Sequence, residues 1–334
     1  MSSIIKYTDN NIIVNQTIYG FLNTYKHLVS IPKVPRAITN KKRKNNNVVL
    51  ISGGGSGHEP AHIGFVGTNL LDAAVMGDIF EPPSSYEIFK TIQHTYNGHG
   101  TLLIIKNFEK DIKVFLEAEN KAKNIGLNVD HVIVTDDCSI DPNSKVKRER
   151  GVAGTILVHK ILGAASNTGL ELNDLKILGN NIIKNTKTLG VAFSEIDNIG
   201  SLKKKYILDE DEMYFGIGIH GEPGYRKEKI YSSERLSVEL INKLIHQFQP
   251  YSIHNVAIMV NGLGSITLLE LSIVMNNIHE LLKLEDISID FSLLGNFMTS
   301  FNTNGLSITM LNIENNQWIK YLQADTNAFG WNKR

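Results

Sequence analysis

Short apolar runs that alternate with helix-like segments are the feature that most constrains the fold of this chain. The run VVLIS (48–52) is rich in β-branched residues and ends in glycines, a profile typical of a strand buried on both faces. The alternation continues through predicted strands at 70–78, 101–107 and 129–137 and predicted helices at 84–96 and 109–125. It predicts an α/β layer with a largely parallel sheet, in which ligands bind at the loops that follow strands.

A second series of strands begins near residue 185. We predict strands at 188–195, 213–220, 254–262, 287–296, 306–313 and 318–325, and helices at 233–248 and 265–282. Earlier helices are predicted at 11–30, 151–166 and 171–188, and the Pro- and Asn-rich segment 31–47 is predicted as a loop. The sequence therefore predicts a two-domain α/β chain with mixed or parallel sheets flanked by helices, divided into an N-terminal domain (1–185) and a C-terminal domain (186–334).

Composition argues against several classes of protein. Lys plus Arg and Asp plus Glu both number 34, so no general attraction to nucleic acid is expected. The basic run at 41–44 lies beside three asparagines and is interpreted as a solvated loop. Cys138 is the single cysteine, which excludes an intramolecular disulfide and favours a reducing compartment. With no apolar run long enough to span a membrane and no secretion-type leader, we expect a soluble cytoplasmic protein.

The glycine-rich segment SGGGSGHEPAH (52–62) nearly fits two familiar motifs. His58 stands where a Walker-type loop needs lysine and where a dinucleotide fingerprint needs glycine, although a phosphate-cradling loop remains geometrically possible. HEPAH matches the H-E-x-x-H zinc motif, but Pro60 inside a helix would break it. We therefore predict that Pro60 occupies a first helical position, that His58 stays in the loop and His62 lies on the helix, and that no metal is bound. His58 is then either a functional group or the cap of a turn.

A second glycine-rich segment, FGIGIHGEPG (215–224), presents one histidine among four glycines. Glycine permits close approach of a ligand to the backbone, so His220 is either a functional group or an unusually placed turn residue.

Taken together, five motifs resemble the dihydroxyacetone kinase K-subunit family over essentially the whole chain. They are GGGSGHEPAHIGFVG (53–67), LLIIKNFEKD (102–111), RGVAGT (150–155), FGIGIHGEPG (215–224) and VNGLG (260–264). The resemblance implies a homodimer that binds dihydroxyacetone, with His220 forming a covalent hemiaminal with the ketone carbon and His58 as an acid/base group. It implies no cofactor on this chain, since ATP or ADP and Mg belong to a separate L subunit of the kinase. The implied substrate-binding residues are Gly55, Ser56, Gly57, His58, Lys106 and Asp111.

Several loops depart from the family pattern while the ketone-binding groups are kept. A Thr-Ser-Pro-like turn reads EPP at 81–83, and the glycine before Asp111 is Lys110. The segments RERG (148–151), SITLLE (265–270) and TSFNTNG (299–305) also differ, and ordinary drift is the alternative explanation for each change. The combined pattern resembles the non-catalytic coactivator branch of the family, which partners a TetR-type transcription factor to activate kinase genes. We favour this function, and the alternative is the substrate-binding K subunit of a phosphotransfer-dependent kinase, partnered by an L subunit.

Overall fold

The computed structural model describes residues 5, 9–32, 34, 36–139, 149–194, 208–220, 224–249 and 253–331. Residue 148 of the RERG segment and residues 221–223 of GIHGEPG lie outside the described residues, as does the final residue of the strand predicted at 188–195. In the described part of the chain, no helix is long and apolar enough to cross a membrane.

The chain divides into two compact units, and each unit contains more than one segment. The N-unit consists of residues 4–134, 155–181 and 320–334, and the C-unit of residues 1–3, 135–154 and 182–319. The sequence predicted one division of the chain, near residue 185. In the structure, residues 135–154 before that point belong to the C-unit, and residues 320–334 after it belong to the N-unit.

The N-unit is built on a mixed sheet of β1 (Val29–Ser30), β2 (Ala37–Asn40), β3 (Val49–Ser56), β4 (Ala73–Ile79), β5 (Thr101–Lys106) and β6 (Val129–Val134). The strand order is β1-β2-β4-β3-β5-β6. The four strands β4, β3, β5 and β6 are parallel, and β2 joins β4 antiparallel. Because β3 is central and buried along its whole length, its carboxyl end delivers the glycine loop to the edge where α/β sheets bind ligands.

Helices cover the sheet of the N-unit. They are α1 (Asn10–Tyr25), α2 (Ser85–Thr95), α3 (Glu109–Asn124), α4 (Thr155–Ser166) and α5 (Leu172–Lys184). The last three residues of α5, 182–184, belong to the C-unit. Helix α2 begins at a capping box in which Ser84 and Glu87 satisfy each other's backbone amides. Ile88 and Ile92 of α2 pack with Phe115 of α3 in one apolar cluster with the strands.

Residues 320–331 complete the N-unit beside the glycine loop. The amide of Thr68 donates to Asn327 Oδ1 at 2.8 Å, and the two residues are 259 positions apart in sequence. The amide of Gly330 donates to the carbonyl of Gly64 at 2.7 Å. The turn that follows the glycine loop is therefore anchored by the last described segment of the chain.

The C-unit contains a second mixed sheet, formed by β7 (Thr186–Ala192), β8 (Glu212–Phe215), β9 (Arg226–Lys229), β10 (Asn255–Gly262), β11 (Ser288–Gly295) and β12 (Gly305–Asn312). Its order is β11-β10-β12-β7-β8-β9, with only the β10–β11 pair parallel among the described strands. Helices α6 (Ser233–His246) and α7 (Leu268–Leu284) pack on it in one large apolar cluster. Two mixed sheets flanked by helices confirm the predicted α/β class.

Five sequence-based assignments were wrong in detail. The segment predicted as a loop at 31–47 contains strand β2, which pairs with β4. The segment predicted as a strand at 318–325 is instead helix α8 (Gln317–Gln323), because its buried residues Trp318 and Leu322 are four apart, a helical spacing. The helix predicted at 11–30 ends at Tyr25, and Val29–Ser30 form a strand. The helix predicted at 171–188 ends at Lys184, and the strand predicted at 213–220 ends at Phe215.

Candidate functional site

The carboxyl end of β3 forms a glycine floor, which we define as Gly53–Gly57. A methyl group on Gly53 would overlap the carbonyl of Val75 in the neighbouring strand. A methyl group on Gly55 would lie 2.7 Å from the amide nitrogen of Glu81 and 2.8 Å from Phe80 Cα. These positions therefore require glycine, since the chain passes directly against the backbone of β4 and the turn that follows it.

Lys106 and Asp111 form a buried ion pair beside the glycine floor. Lys106 ends β5 and Asp111 lies in the first turn of α3, and their side chains are 0% and 4% exposed. The distance from Lys106 Nζ to Asp111 Oδ1 is 3.7 Å, and neither atom has a hydrogen-bond partner within the described residues. Gly54 lies over this pair, because its Cβ would be 2.5 Å from Lys106 Nζ. The pair can thus donate to and accept from a small ligand that carries hydroxyl or carbonyl oxygens.

His58 lies in the loop after β3, where we predicted it, and is completely buried. Its ring packs against Phe80 with centroids 5.2 Å apart. The preceding residue, Gly57, has a φ of +98°, and its amide donates to the carboxylate of Glu59 at 3.0 and 3.2 Å. Burial raises the pKa of Glu59, and the backbone hydrogen bonds oppose that shift. The loop thus holds an imidazole in a fixed, dehydrated position.

The placement of Pro60 at a first helical position and of His62 on that helix was wrong, because residues 59–62 form a turn. His62 precedes a short 3-10 helix, Ile63–Phe65, and is buried with its ring centroid 5.2 Å from that of His159 on α4. Without an α-helix through HEPAH, His58 and His62 do not share a helical face as the zinc motif needs. Burial lowers the pKa of His62, and the nearby Lys106 charge adds to this effect. The same two causes lower the pKa of His159 to about 3, so both rings are neutral near pH 7.

One cluster within the described residues has the spacing of a metal site, namely Glu119, Asp130 and His131. Its carboxylates are already paired with ammonium groups. Lys123 Nζ lies 2.5 Å from Glu119 Oε1, and Lys176 Nζ lies 2.8 Å from Asp130 Oδ1. A cation would have to displace two lysines, so we interpret this cluster as an ion-pair network.

His220 lies in the C-unit, on the loop that follows β8. The loop is closed at its base by a hydrogen bond from the amide of Tyr225 to the carbonyl of Phe215, 2.9 Å long. Ile217 and Ile219 point into the protein and are 5% and 3% exposed, whereas His220 is half-buried. Two buried isoleucines therefore anchor the segment that presents the imidazole.

A rim pair, Glu81 and Lys110, joins two of the loops that depart from the family pattern. Lys110 Nζ lies 2.6 Å from Glu81 Oε1 and 2.7 Å from Oε2, and both side chains are exposed. Glu81 follows Phe80, which contacts His58, and Lys110 precedes Asp111. The two departures are therefore in contact with each other at the edge of the site.

Six of the predicted site residues, Gly55, Ser56, Gly57, His58, Lys106 and Asp111, lie together in the N-unit, and His220 lies in the C-unit. Two further residues of the N-unit site were missed. Gly54 could have been found as part of the glycine run, whereas Phe80 carries no motif. Phe80 adopts a left-handed φ of +59°, unusual for a bulky residue, at the turn against the glycine floor.

Within the N-unit, a glycine floor at the end of a parallel strand beside a buried lysine–aspartate pair is the arrangement that α/β proteins use to bind small molecules. The Dak1 domain family model matches residues 19–330, so the chain belongs to the Dak1 family, in agreement with the motifs.

Two relatives from Lactococcus lactis subsp. lactis (strain IL1403) are equally similar to the chain. It is 42% identical over 327 residues to the DhaKLM operon coactivator DhaQ, covering 97% of this chain and 99% of that protein. It is also 42% identical over 323 residues to DhaK, the dihydroxyacetone-binding subunit of the PTS-dependent dihydroxyacetone kinase, covering 96% of each. A solved structure of the co-activator Dha-DhaQ superposes with a TM-score of 0.90 and 42% identity, over 95% of this chain and 97% of that one.

Proposed function

We propose that this protein binds dihydroxyacetone, captures it as a covalent hemiaminal on His220, and acts as a ligand-sensing coactivator. Its partner in this role is a TetR-type transcription factor, which it engages as a homodimer to activate dihydroxyacetone kinase genes. The observation that carries the proposal is the buried pair of Lys106 and Asp111 beneath the glycine floor.

The ligand chemistry follows from this pair. Dihydroxyacetone has a carbonyl flanked by two hydroxyl groups, so it can accept from the Lys106 ammonium and donate to the Asp111 carboxylate. Each hydrogen bond that a ligand forms with a buried charged group contributes about 1.5–3 kcal/mol to binding when that group had no hydrogen-bond partner before. Gly54 leaves the Lys106 ammonium and the Asp111 carboxylate uncovered by a side chain of its own, since a Cβ there would lie 2.5 Å from Lys106 Nζ.

The covalent step needs a neutral imidazole. The unprotonated ring nitrogen of His220 adds its lone pair to the ketone carbon, and the C=O π electrons move to the oxygen. That oxygen takes a proton from an acid, for which His58 is the candidate, and the other ring nitrogen of His220 releases its proton. The product is a neutral hemiaminal. Glycerol has no carbonyl and is excluded by chemistry rather than by size.

The rim pair favours a coactivator over a kinase subunit. In a phosphoryl-transferring K subunit, the rim must admit the nucleotide of a partner, and hydroxyl or backbone donors must stabilise the transferred group. Here Glu81 and Lys110 are bound to each other by two short contacts, so the rim carries bulk and offers no hydroxyl at either position. The equal identity to DhaK favours the alternative, a K subunit that serves an L subunit.

Ketone binding is tested by calorimetry with dihydroxyacetone, and with glycerol as the ligand without a carbonyl. We expect Lys106→Met to weaken binding by roughly 10- to 100-fold, because the variant loses the hydrogen bond that the ammonium donates to the ligand. Lys121→Met is the matched control, because Lys121 pairs with Glu117 on the exposed face of α3. Equal ketone affinity in the two variants would reject the site.

The covalent step and the role are tested separately. With ketone labelled with ¹³C at the carbonyl, we expect the resonance to move to the tetrahedral-carbon region in the parent and to stay in the ketone region in His220→Ala. The role is tested by adding L subunit, ATP and Mg. Kinase-like formation of phosphorylated product would establish the alternative, whereas ketone-dependent binding to a TetR-type factor without turnover supports the coactivator.

A further inference from the structure

Arg150 is a charged residue of the C-unit whose side chain is almost completely enclosed. It is 6% exposed and makes polar contacts with three different groups. Its Nε donates to Asp137 Oδ2 at 2.5 Å, and its Nη2 donates to Ser139 Oγ and to the carbonyl of Gly216, both at 2.9 Å. A guanidinium suits this arrangement, because its donors are fixed in one plane and reach several acceptors at once.

Gly216 is the first residue of the loop that presents His220. Its amide donates to the carbonyl of Gly190 at 2.7 Å, so Arg150 fixes the other backbone polar group of this residue. The φ of Gly216 is +72°, and a methyl group here would lie 2.7 Å from Ser139 Cβ and overlap the ring of Tyr225. The chain therefore needs glycine where it leaves β8, and Arg150 donates to the carbonyl of that glycine.

Asp137 fixes the arginine in turn. Its carboxylate accepts from Arg150 Nε and from the amide of Ser139, and its own amide donates to the carbonyl of Arg150 at 3.0 Å. Desolvating two charges costs about as much free energy as their attraction returns, so such a pair is a poor source of stability. The pair instead fixes geometry, because the Asp137 carboxylate and the Arg150 guanidinium each hold the other in one orientation.

We infer that Arg150, held by Asp137, is a positioning residue that sets the place of His220 by fixing the Gly216 carbonyl at the base of the loop. This inference rests on the proposed addition of His220 to the ketone carbon. Arg150 acts through the backbone and not on the reacting atoms. Three residues lie between Gly216 and His220, and two of them, the buried Ile217 and Ile219, transmit the constraint.

The test compares Arg150→Gln, Arg150→Lys and Asp137→Asn with the parent protein. Adduct formation is followed with ¹³C-carbonyl-labelled dihydroxyacetone, and the non-covalent affinity is measured in each variant combined with His220→Ala. Because misplacement of a reacting group by about 1 Å costs on the order of 100-fold, we expect Arg150→Gln to slow adduct formation by roughly 10- to 100-fold with the non-covalent Kd unchanged. Arg150→Lys keeps the positive charge but loses the planar guanidinium with its several donors. It should therefore recover only part of the rate of adduct formation.

Hydrogen exchange supplies a readout that needs no ketone. We expect faster exchange of the Gly216 and Tyr225 amides in Arg150→Gln, with the amides of α7 unchanged. Arg235→Gln is the matched control, because Arg235 is exposed on α6 and stacks on Tyr231 at 4.3 Å. We expect it to match the parent in exchange and adduct rate.

The outcomes separate this inference from the proposed function. If the parent forms no adduct, the covalent step of the proposed function fails, and the exchange data alone decide whether Arg150 fixes the loop. If the parent forms the adduct and the Arg150 and Asp137 variants form it as fast, the inference is overturned. If Arg150→Gln loses the native circular dichroism spectrum, Arg150→Lys and Asp137→Asn carry the comparison.

Discussion

Replacing Gly54 with alanine should damage ketone binding and also lower stability, because the φ of Gly54, +157°, strains a residue that carries a side chain. The added Cβ would lie 2.5 Å from Lys106 Nζ, 2.9 Å from Lys106 Cε and 3.3 Å from Asp111 Oδ1. Normal van der Waals contact requires nearly 1 Å more, so the ammonium has to move away from the glycine floor. Loss of one charge-assisted hydrogen bond costs about 1.5–3 kcal/mol, which corresponds to a Kd roughly 10- to 150-fold higher.

The assay is calorimetric titration of Gly54→Ala with dihydroxyacetone, together with urea unfolding. Gly20→Ala is the matched control, because a Cβ on Gly20 in helix α1 meets nothing within 4 Å. It should bind ketone as the parent does and gain about 0.5–1 kcal/mol of stability from helix propensity. A Gly54→Ala protein that stays folded and binds ketone within twofold of the parent would refute the role of Lys106.

Two further predictions concern charged groups of the N-unit. Burial raises the pKa of Asp72 from 3.8 to about 7, although the Leu50 amide donates to its carboxylate. The native state therefore keeps a proton that the unfolded chain has lost, so the free energy of unfolding should fall as pH rises from 4 to above 7, by up to about 4 kcal/mol. Urea unfolding of Asp72→Asn should lack this fall, and an unchanged pH profile would contradict the raised pKa. For the rim pair, a double-mutant cycle of Glu81→Gln and Lys110→Met should give a coupling of about 0.2–1 kcal/mol that vanishes in high salt, since both side chains are exposed; a larger coupling that persists in salt would contradict a solvated rim.

The buried strands could be predicted because their signal is carried by residue type alone. The apolar runs at 48–51 and 102–105, which lead into β3 and fill the centre of β5, need no knowledge of their neighbours. Strand β9, with the sequence RKEK, gave no such signal, because it lies at the end of the strand order and its side chains are only partly buried or exposed. Short charged edge strands are defined by their pairing with β8, which a single sequence does not reveal.

The candidate site was predictable where a motif fixes the chemistry. The resemblance of the motifs to a known family implied Lys106, Asp111 and His58. They did not reveal that Gly54 covers the lysine, or that Glu81 and Lys110 meet across two loops. Those contacts join positions far apart in sequence and depend on how β4 and α3 are placed in space. For the same reason, the rim departures looked independent until their contact was known.

The anchoring of the glycine-loop turn by residues 320–331 has a consequence for the order of events during synthesis. On the ribosome, Thr68 in the turn after the glycine floor emerges 259 residues before its partner Asn327. The C-unit can be translated in full before the N-unit has its final segment. Contacts of such long sequence separation form late and slowly. The turn after the glycine floor should therefore take its final form only after residues 320–331 have emerged, and a nascent chain that lacks them should not respond to ketone.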